Sequence, residues 1–301
     1  MRFPEGQSRK QLISFLGTGL NKPVWQEGLQ TLPLPLRIGT QSMIFWIGFF
    51  LGTANLSEIV PAARDLSEVT IETFVEEISR RSEKVSCRKG CHAACCRHLM
   101  VSLSVPEALS MVGEVDSQDA ESRTRTIRSC ATVAAKIRNH FKDTPSVTAG
   151  HQLKDGILDS YMDLDVECPF LLENCCSIYR QRPMTCRECL VTSPESYCKK
   201  KVGQLVQKVN LPIRFSAVLT QLSRELYNTK DELVVLPCVF DWFIDNSRRY
   251  QKSWPTEYLV RRFIEITISH QQQRFSVSSI RPDRKLLRSR LAEDRDITTV
   301  R

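Results

Sequence analysis

Glycine is scarce in this sequence, and motifs that mark several common protein classes are missing. Only 12 of the 301 residues are glycine, which excludes a collagen-like or glycine-rich low-complexity chain. No glycine-rich loop ends in Gly-Lys-Ser or Gly-Lys-Thr, and the single Gly-x-Gly, at Gly17 and Gly19, lacks a clear strand before it. The sequence therefore gives only weak support for a nucleotide or adenosyl pocket.

An excess of charge of one sign is also missing. The 42 Lys and Arg residues against 34 Asp and Glu give a net charge of +8, which is modest for a chain of this length. A zinc-finger motif is missing as well, because no Cys-x-x-Cys is followed by His-x3–5-His. We therefore expect no nucleic-acid partner. The apolar fraction of 42% excludes wholesale disorder, and the chain is long enough to bury a core without covalent cross-links.

Cysteine, in contrast, is abundant and strongly clustered. Ten of the 12 cysteines lie in two short stretches, at 87–96 and 168–198. The first cluster holds Cys87, Cys91, Cys95 and Cys96, and the second holds Cys168, Cys175, Cys176, Cys186, Cys189 and Cys198. Dense clusters in a chain that can fold alone favour metal binding over a disulfide framework. A disulfide-bonded exported protein remains an alternative, because the cysteine count is even.

Charged residues are absent between Arg37 and Glu58, and residues 43–51 are almost wholly apolar. We treat residues 1–60 as an amino-terminal extension whose apolar segment, 38–57, is either buried in the protein or a membrane anchor or export signal. Polar residues interrupt the segment, and it begins too far from the amino terminus for a signal peptide. We therefore expect a cytoplasmic protein, with membrane anchoring through 38–57 as the alternative.

Periodic apolar residues predict helices on both sides of the first cluster. A capping box formed by Asp65 and Glu68 predicts a helix over 66–82, which would align Cys87, Cys91 and Cys95 on one face if it continued. Another capping box at Ser104 starts a second helix, and a longer helix is expected at about 118–142. The last of these places Cys130 against the core as a packing residue.

The second cluster has the pattern of a hairpin and loops. Residues 168–171 form a short extended run, Glu173 and Asn174 have turn chemistry, and β-favouring residues resume at 177–179. Helical stripes follow at 215–226 and 259–264. The expected fold is mainly α with a small β-hairpin and loop cysteine-rich metal-binding core, a helix-dominated α+β class. Its parts are the extension 1–60, a cysteine-cluster domain 61–200, a helical region 201–272 and a basic tail 273–301.

Soft thiolates select zinc, copper(I) or iron–sulfur centres over magnesium or calcium. Four thiolates on such a centre leave a net negative charge, which neighbouring cations stabilise. Six cations lie beside the cysteines: Arg88, Lys89, Arg97, Arg180, Arg182 and Arg187. Two histidines, His92 and His98, also lie near the sulfurs, where they could serve as ligands, as proton carriers or as ordinary surface residues.

Four motifs follow one another along the chain. They are Gly-Cys-His-Ala-Ala-Cys-Cys-Arg at 90–97, residues 101–108 with Glu107-Ala108, Cys-Pro-Phe-Leu at 168–171 and Cys-Ser-Ile-Tyr-x-x-Arg-Pro-x-x-Cys-Arg at 176–187. Together they resemble the CxxCxxCC family of zinc- or iron-chelating proteins, also called YkgJ-like. The resemblance covers about residues 83–200. One departure is that Cys87, Cys91 and Cys95 are separated by three residues, whereas the family's name describes gaps of two.

The resemblance implies metal chelation, with zinc or iron as the cofactor and an iron–sulfur cluster as one form of the iron. The implied ligands are Cys91, Cys95, Cys96, Cys168, Cys176 and Cys186. Further candidates are Cys87, Cys175, Cys189 and Cys198. The family includes flagellin lysine methylase, so a metal-dependent protein lysine methyltransferase acting on a protein substrate is the enzymatic alternative.

Overall fold

The computed structural model describes residues 11–21, 23, 26–87, 94–142, 157–198, 206–230 and 232–279. Helices dominate these ranges and the sheets are small, which confirms the predicted helix-dominated α+β class. The helices are α1 (Val60–Arg80), α2 (Ala94–His98), α3 (Val105–Asp116), α4 (Ala120–His140), α5 (Ile157–Asp163), α6 (Met184–Glu188), α7 (Phe215–Tyr227), α8 (Val239–Asn246) and α9 (Thr256–Ser279). The strands are β1 (Ile13–Thr18), β2 (Leu29–Ile38), β3 (Gln41–Phe50), β4 (Thr53–Asn55), β5 (Ser102–Ser104), β6 (Leu171–Leu172), β7 (Cys175–Cys176), β8 (Leu233–Val235) and β9 (Ser253–Pro255).

The apolar amino-terminal stretch forms β3, the central strand of an antiparallel sheet ordered β1-β3-β2. Strands β2 and β3 pair in continuous register from Leu29 opposite Phe50 to Ile38 opposite Gln41. Alternate β3 side chains, among them Phe45, are fully buried in the core, as expected when one face of a sheet is covered. Segment 38–57 is thus strand, turn and 3-10 helix. No helix in the described ranges is long and apolar enough to cross a membrane.

One hydrophobic core joins this sheet to helices from the carboxyl-terminal part of the chain. The sheet packs against α1 and α9, and α7 packs against α9. A double hydrogen bond fixes the contact: the Arg37 N–H donates to Gln271 Oε1 at 2.9 Å, and Gln271 Nε2 donates to the Arg37 carbonyl at 3.0 Å. The described residues of the extension and of the helical region therefore pack into one hydrophobic core. Arg37 and Gln271 are 234 residues apart in the sequence.

Two predicted helix ends differ from the observed ones. Helix α1 begins at Val60, with Pro61 in its first turn, because a 3-10 turn capped by Asn55 leads directly into it. The predicted helix over 66–82 is confirmed as far as Arg80, but Asp65 lies inside it, so the prediction that Asp65 caps its start is wrong. The helix ends at Arg80, and Ser82 adopts a positive φ of 66°. Cys87 lies beyond this end, so α1 does not carry the first cluster on its face.

The other helix predictions are close to the structure. Helix α3 has the predicted capping box, and α4 lies within the predicted 118–142. Cys130 is fully buried, as expected for a packing residue. The predicted stripes are in α7 and α9. Helix α9 extends to Ser279, so the start of the predicted tail is helical, and its remainder, 280–301, lies outside the described residues.

Candidate metal centre

Three chain segments bring five of the described cysteines of the two clusters to one region. Helix α2 holds Cys95 and Cys96, the β6–β7 hairpin holds Cys176 with Cys168 just before it, and α6 holds Cys186. A backbone hydrogen bond joins the first two segments, because the Cys168 N–H donates to the Cys96 carbonyl at 2.7 Å. The clusters are 72 residues apart between these two positions, yet they are in direct contact.

The hairpin orients its two adjacent cysteines in opposite directions. Glu173 and Asn174 connect β6 to β7 with φ values of 48° and 62°, the left-handed pair that a two-residue type I′ turn requires. Successive strand residues point to opposite faces. Cys175 is accordingly exposed, whereas Cys176 is half-buried. Of the two, Cys176 is the one that turns towards the protein.

Two contacts hold the hairpin in place. Arg97 of α2 donates from Nη2 to Asn174 Oδ1 at 2.6 Å, and its Nε lies 3.1 Å from Glu167 Oε1. Phe170, which is 2% exposed, inserts into the core cluster that contains Cys130. The polar contacts of Arg97 at the surface and the buried ring of Phe170 therefore fix the position of Cys168 and Cys176 relative to α2.

Helix α6 is positioned by buried polar contacts. Glu107 of α3 accepts a hydrogen bond from the Met184 N–H at 2.7 Å, and Thr185 Oγ1 donates to the Ser102 carbonyl at 2.8 Å. The Met184 N–H is the first of the helix and has no intrahelical acceptor, so Glu107 satisfies it. They place Cys186 beside the other sulfurs.

The thiols are close enough to alter one another's ionisation. A hydrogen bond from the Cys96 thiol lowers the pKa of Cys95 to about 6, and the same contact together with burial raises the pKa of Cys96. Burial and the charges of Cys168, Cys95 and Cys176 raise the pKa of Cys186 well above its ordinary value. Burial also raises the pKa of Cys168 to about 12. Five of the six implied ligands therefore belong to one electrostatically coupled group.

The remaining candidates occupy different places. Cys91 and His92 lie outside the described residues. Cys87 Sγ accepts from the Val191 N–H at 3.3 Å and lies 3.5 Å from the Cys189 carbonyl. Cys189 follows α6, and burial raises its pKa to about 11, with smaller contributions from the charges of Cys95 and Cys198. Cys189 in turn helps to raise the pKa of Cys186, so it lies near the same group of sulfurs. Cys198 ends the 3-10 turn Glu195–Cys198.

Nine cysteines of the described ranges, all except Cys87 and Cys198, are free. Within the part of the chain that the structure describes, no group of three or more His, Cys, Asp or Glu side chains has an arrangement that could hold a metal ion. The donor set is chemically suited to one. Without a cation, burial keeps Cys168 and Cys186 as neutral protonated thiols, whereas a soft cation stabilises the thiolate form.

Two buried carboxylates support the site but were not predicted as a pair. Glu107 is recognisable in the sequence from its capping box, although its contact with Met184 is not. Glu188 accepts from the Ser216 N–H at 2.9 Å and from Ser216 Oγ at 2.6 Å, and so fixes the end of α6 to the start of α7. Its burial raises its pKa to about 7. No local sequence signal marks that contact, because the partners are 28 residues apart.

Three described cations affect the ionisation of these cysteines. The charges of Lys208 and Arg214 lower the pKa of Cys189, and the charge of Arg182 lowers the pKa of Cys95 and Cys176. Arg182 was among the six cations noted in the sequence, whereas Lys208 and Arg214 are distant from the cysteines in sequence or outside the clusters and were not noted.

Searches against family models, curated proteins and solved structures find no match to this chain.

Proposed function

We propose that this protein binds a metal through thiolates of its two cysteine clusters, as zinc or as an iron–sulfur centre. The observation that supports this most is the meeting of Cys95 and Cys96 with Cys168, Cys176 and Cys186, which come from three separate segments. Cys91, outside the described residues, is the sixth ligand in this proposal.

The ionisation of the thiols bears on how a metal would bind. Burial and neighbouring sulfurs raise the pKa of Cys96 and Cys186, so without a metal these thiols stay protonated and neutral. A soft metal ion would displace the protons and bind the thiolates, and structural metal sites have binding free energies on the order of 10 kcal/mol. The nearby cations would compensate the net negative charge of a metal with four thiolates.

We further propose that the protein acts in the cytoplasm. Cytosolic thiols are kept reduced and available to metals, whereas exported cysteine-rich proteins form disulfides. The free state of nine described cysteines, Cys87 and Cys198 apart, is consistent with this proposal.

The test is anaerobic purification of the full chain, followed by elemental analysis, assay of acid-labile sulfide and an absorption spectrum. We expect stoichiometric zinc in a colourless protein, or iron with sulfide in a brown one. The variant Cys130→Ala removes a buried thiol of the core and should retain the metal. Protein without zinc or iron, whose thiols are oxidised to disulfides, would overturn the proposal in favour of the exported alternative.

A further inference from the structure

The three-stranded sheet has two faces, and the core covers one of them. Neighbouring residues of a strand point to opposite faces, so the register assigns each side chain to a side. Leu34 of β2 pairs with Phe45 of β3, and both are fully buried. The next pair, Pro33 with Trp46, lies on the opposite side. Helices α1 and α9 pack on the buried side, and we call the other side the outward face.

The outward face is apolar. Strand β1 contributes Leu16, and β3 contributes Ile44 and Trp46, all of which are half-buried. An added Cβ at Gly48 would lie 2.7 Å from Leu16 Cδ1, so glycine at this position lets Leu16 lie across the central strand. A solvated face of an antiparallel sheet is normally polar. Leu16, Ile44 and Trp46 belong to none of the hydrophobic clusters that the described residues form.

Exposed leucines extend this apolar surface at both ends. Leu20 is 87% exposed and follows Gly19, whose carbonyl accepts a hydrogen bond from Trp46 Nε1 at 2.9 Å. Leu51 is 66% exposed and directly follows β3. These are two of the three most exposed large apolar side chains in the described ranges. The apolar surface therefore runs from Leu20, beside Trp46, to Leu51 at the end of the central strand.

The size of the outward face favours one kind of partner. Three strands of at most ten residues, about 4.8 Å apart and rising about 3.3 Å per residue, give a face of at most about 480 Å². A stable dimer buries about 800 Å² on each partner, so the face alone is too small to hold a second copy. A peptide strand adds to the edge of a sheet and not to its face. A lipid surface, in contrast, needs no matching shape.

The charge of the outward face suits an anionic surface. The three strands contain no Asp or Glu, and their one charged residue, Arg37, alternates with Pro33 and Pro35 on the outward side of β2. The whole chain carries a net charge of +8. The cytoplasmic leaflet of a membrane is rich in anionic lipids and attracts such cations. Tryptophan is favoured at the boundary between lipid headgroups and acyl chains.

From these observations we propose that the outward face binds the surface of a membrane that contains anionic lipids. Leu20, Trp46 and Leu51 enter the boundary between headgroups and acyl chains, and Arg37 stays at the level of the headgroups. Buried apolar area and electrostatic attraction act together in binding of this kind. The proposal does not depend on a bound metal, because the cysteines of the candidate centre lie on other elements.

The test measures co-sedimentation of the full chain with vesicles of phosphatidylcholine, alone or mixed with phosphatidylglycerol. The wild type should bind the mixed vesicles and bind phosphatidylcholine alone several-fold more weakly. Leu20→Ser and Leu51→Ser should each weaken binding about 10-fold, because each removes an apolar side chain that the membrane would bury. Ile244→Ser is the matched control and should bind as the wild type does. Ile244 is 76% exposed, but it lies on α8, which packs against α3 and α4.

All three substitutions are at exposed positions, so the variants should keep the urea midpoint of the wild type, and a loss of binding then reports on the surface. Absence of wild-type binding to the mixed vesicles would overturn the proposal, and so would equal losses in Leu20→Ser and Ile244→Ser. Equal binding to both kinds of vesicle would overturn the role of anionic lipids. Light scattering tests for a second copy. A wild-type dimer that Leu20→Ser or Leu51→Ser dissociates would identify the face as a protein interface and overturn the proposal.

Discussion

Glu107 accepts a hydrogen bond from the backbone N–H of Met184 at 2.7 Å and thereby joins the start of α3 to the start of the helix that carries Cys186. The other carboxylate oxygen accepts from the Ser104 N–H at 3.0 Å and from Ser104 Oγ at 2.7 Å. The side chain is fully buried. One carboxylate thus completes a capping box and also positions a segment of the candidate metal centre.

Replacing Glu107 with alanine should destabilise the fold strongly. The change removes three hydrogen bonds to a buried carboxylate and leaves the Met184 N–H without its acceptor, so we expect a loss of about 3 kcal/mol in unfolding free energy. Urea denaturation measures it. Glu121→Ala is the control, since Glu121 also lies in the first turn of a helix but is 89% exposed, and its loss should stay below about 0.5 kcal/mol. Similar losses in the two variants would show that Glu107 does not connect α3 to α6.

The turn between β2 and β3 should be sensitive at Gly39. Gly39 has a φ of +59°, and a Cβ added there would lie 1.8 Å from Glu77 Oε2. That oxygen is held by the Thr40 N–H at 2.9 Å, so it cannot easily move. We expect Gly39→Ala to reduce the unfolding free energy by about 3 kcal/mol, from backbone strain and overpacking together.

Gly28 provides the comparison for Gly39. Its φ is +80°, and an added Cβ meets nothing within 4 Å. Gly28→Ala therefore carries the backbone strain without the collision, at about 1 kcal/mol. The difference between the two variants in urea denaturation isolates the contact with Glu77. Equal effects would mean that Glu77 does not pack against the turn.

Stability should decrease on mild acidification through His270. Burial, followed by the charges of Arg274 and Arg224, lowers the pKa of His270 from its ordinary 6.5. The unfolded chain therefore takes up a proton near pH 6.5 that the folded chain binds only at lower pH, and the unfolding free energy falls as the pH drops through this range. His270→Gln removes the effect. Urea midpoints at pH 7.5, 6 and 5 should fall less in this variant than in the wild type, and parallel curves would contradict the assignment.

Local signals were enough to predict much of the secondary structure. The α3 capping box depends on two residues three positions apart, and the hairpin turn on an adjacent Glu173-Asn174 pair, so both are visible in the sequence. The buried position of Cys130 follows from the helical spacing of its neighbours. In each case the determining contacts lie within one element or one turn.

Contacts between distant residues could not be predicted in this way. Gln271 binds Arg37 across 234 residues, and Glu107 binds Met184 across 77. The start of α1 was missed because Asp65 and Glu68 have capping chemistry inside a helix, whereas Pro61 begins the helix earlier. The cysteine clusters were identified by their composition, but the assignment of Cys175 to solvent and Cys176 to the protein depends on the register of the hairpin.

The proposed metal centre is tested most directly by comparing metal content in Cys176→Ser and Cys175→Ser. These residues are adjacent on β7, and of the two only Cys175 is exposed. Each variant of the full chain would be purified anaerobically, and its zinc and iron per chain measured against the wild type. We expect Cys176→Ser to lose most of its metal and Cys175→Ser to retain it. Full metal content in both variants, or an equal loss in both, would contradict a centre built on the inward-facing sulfurs.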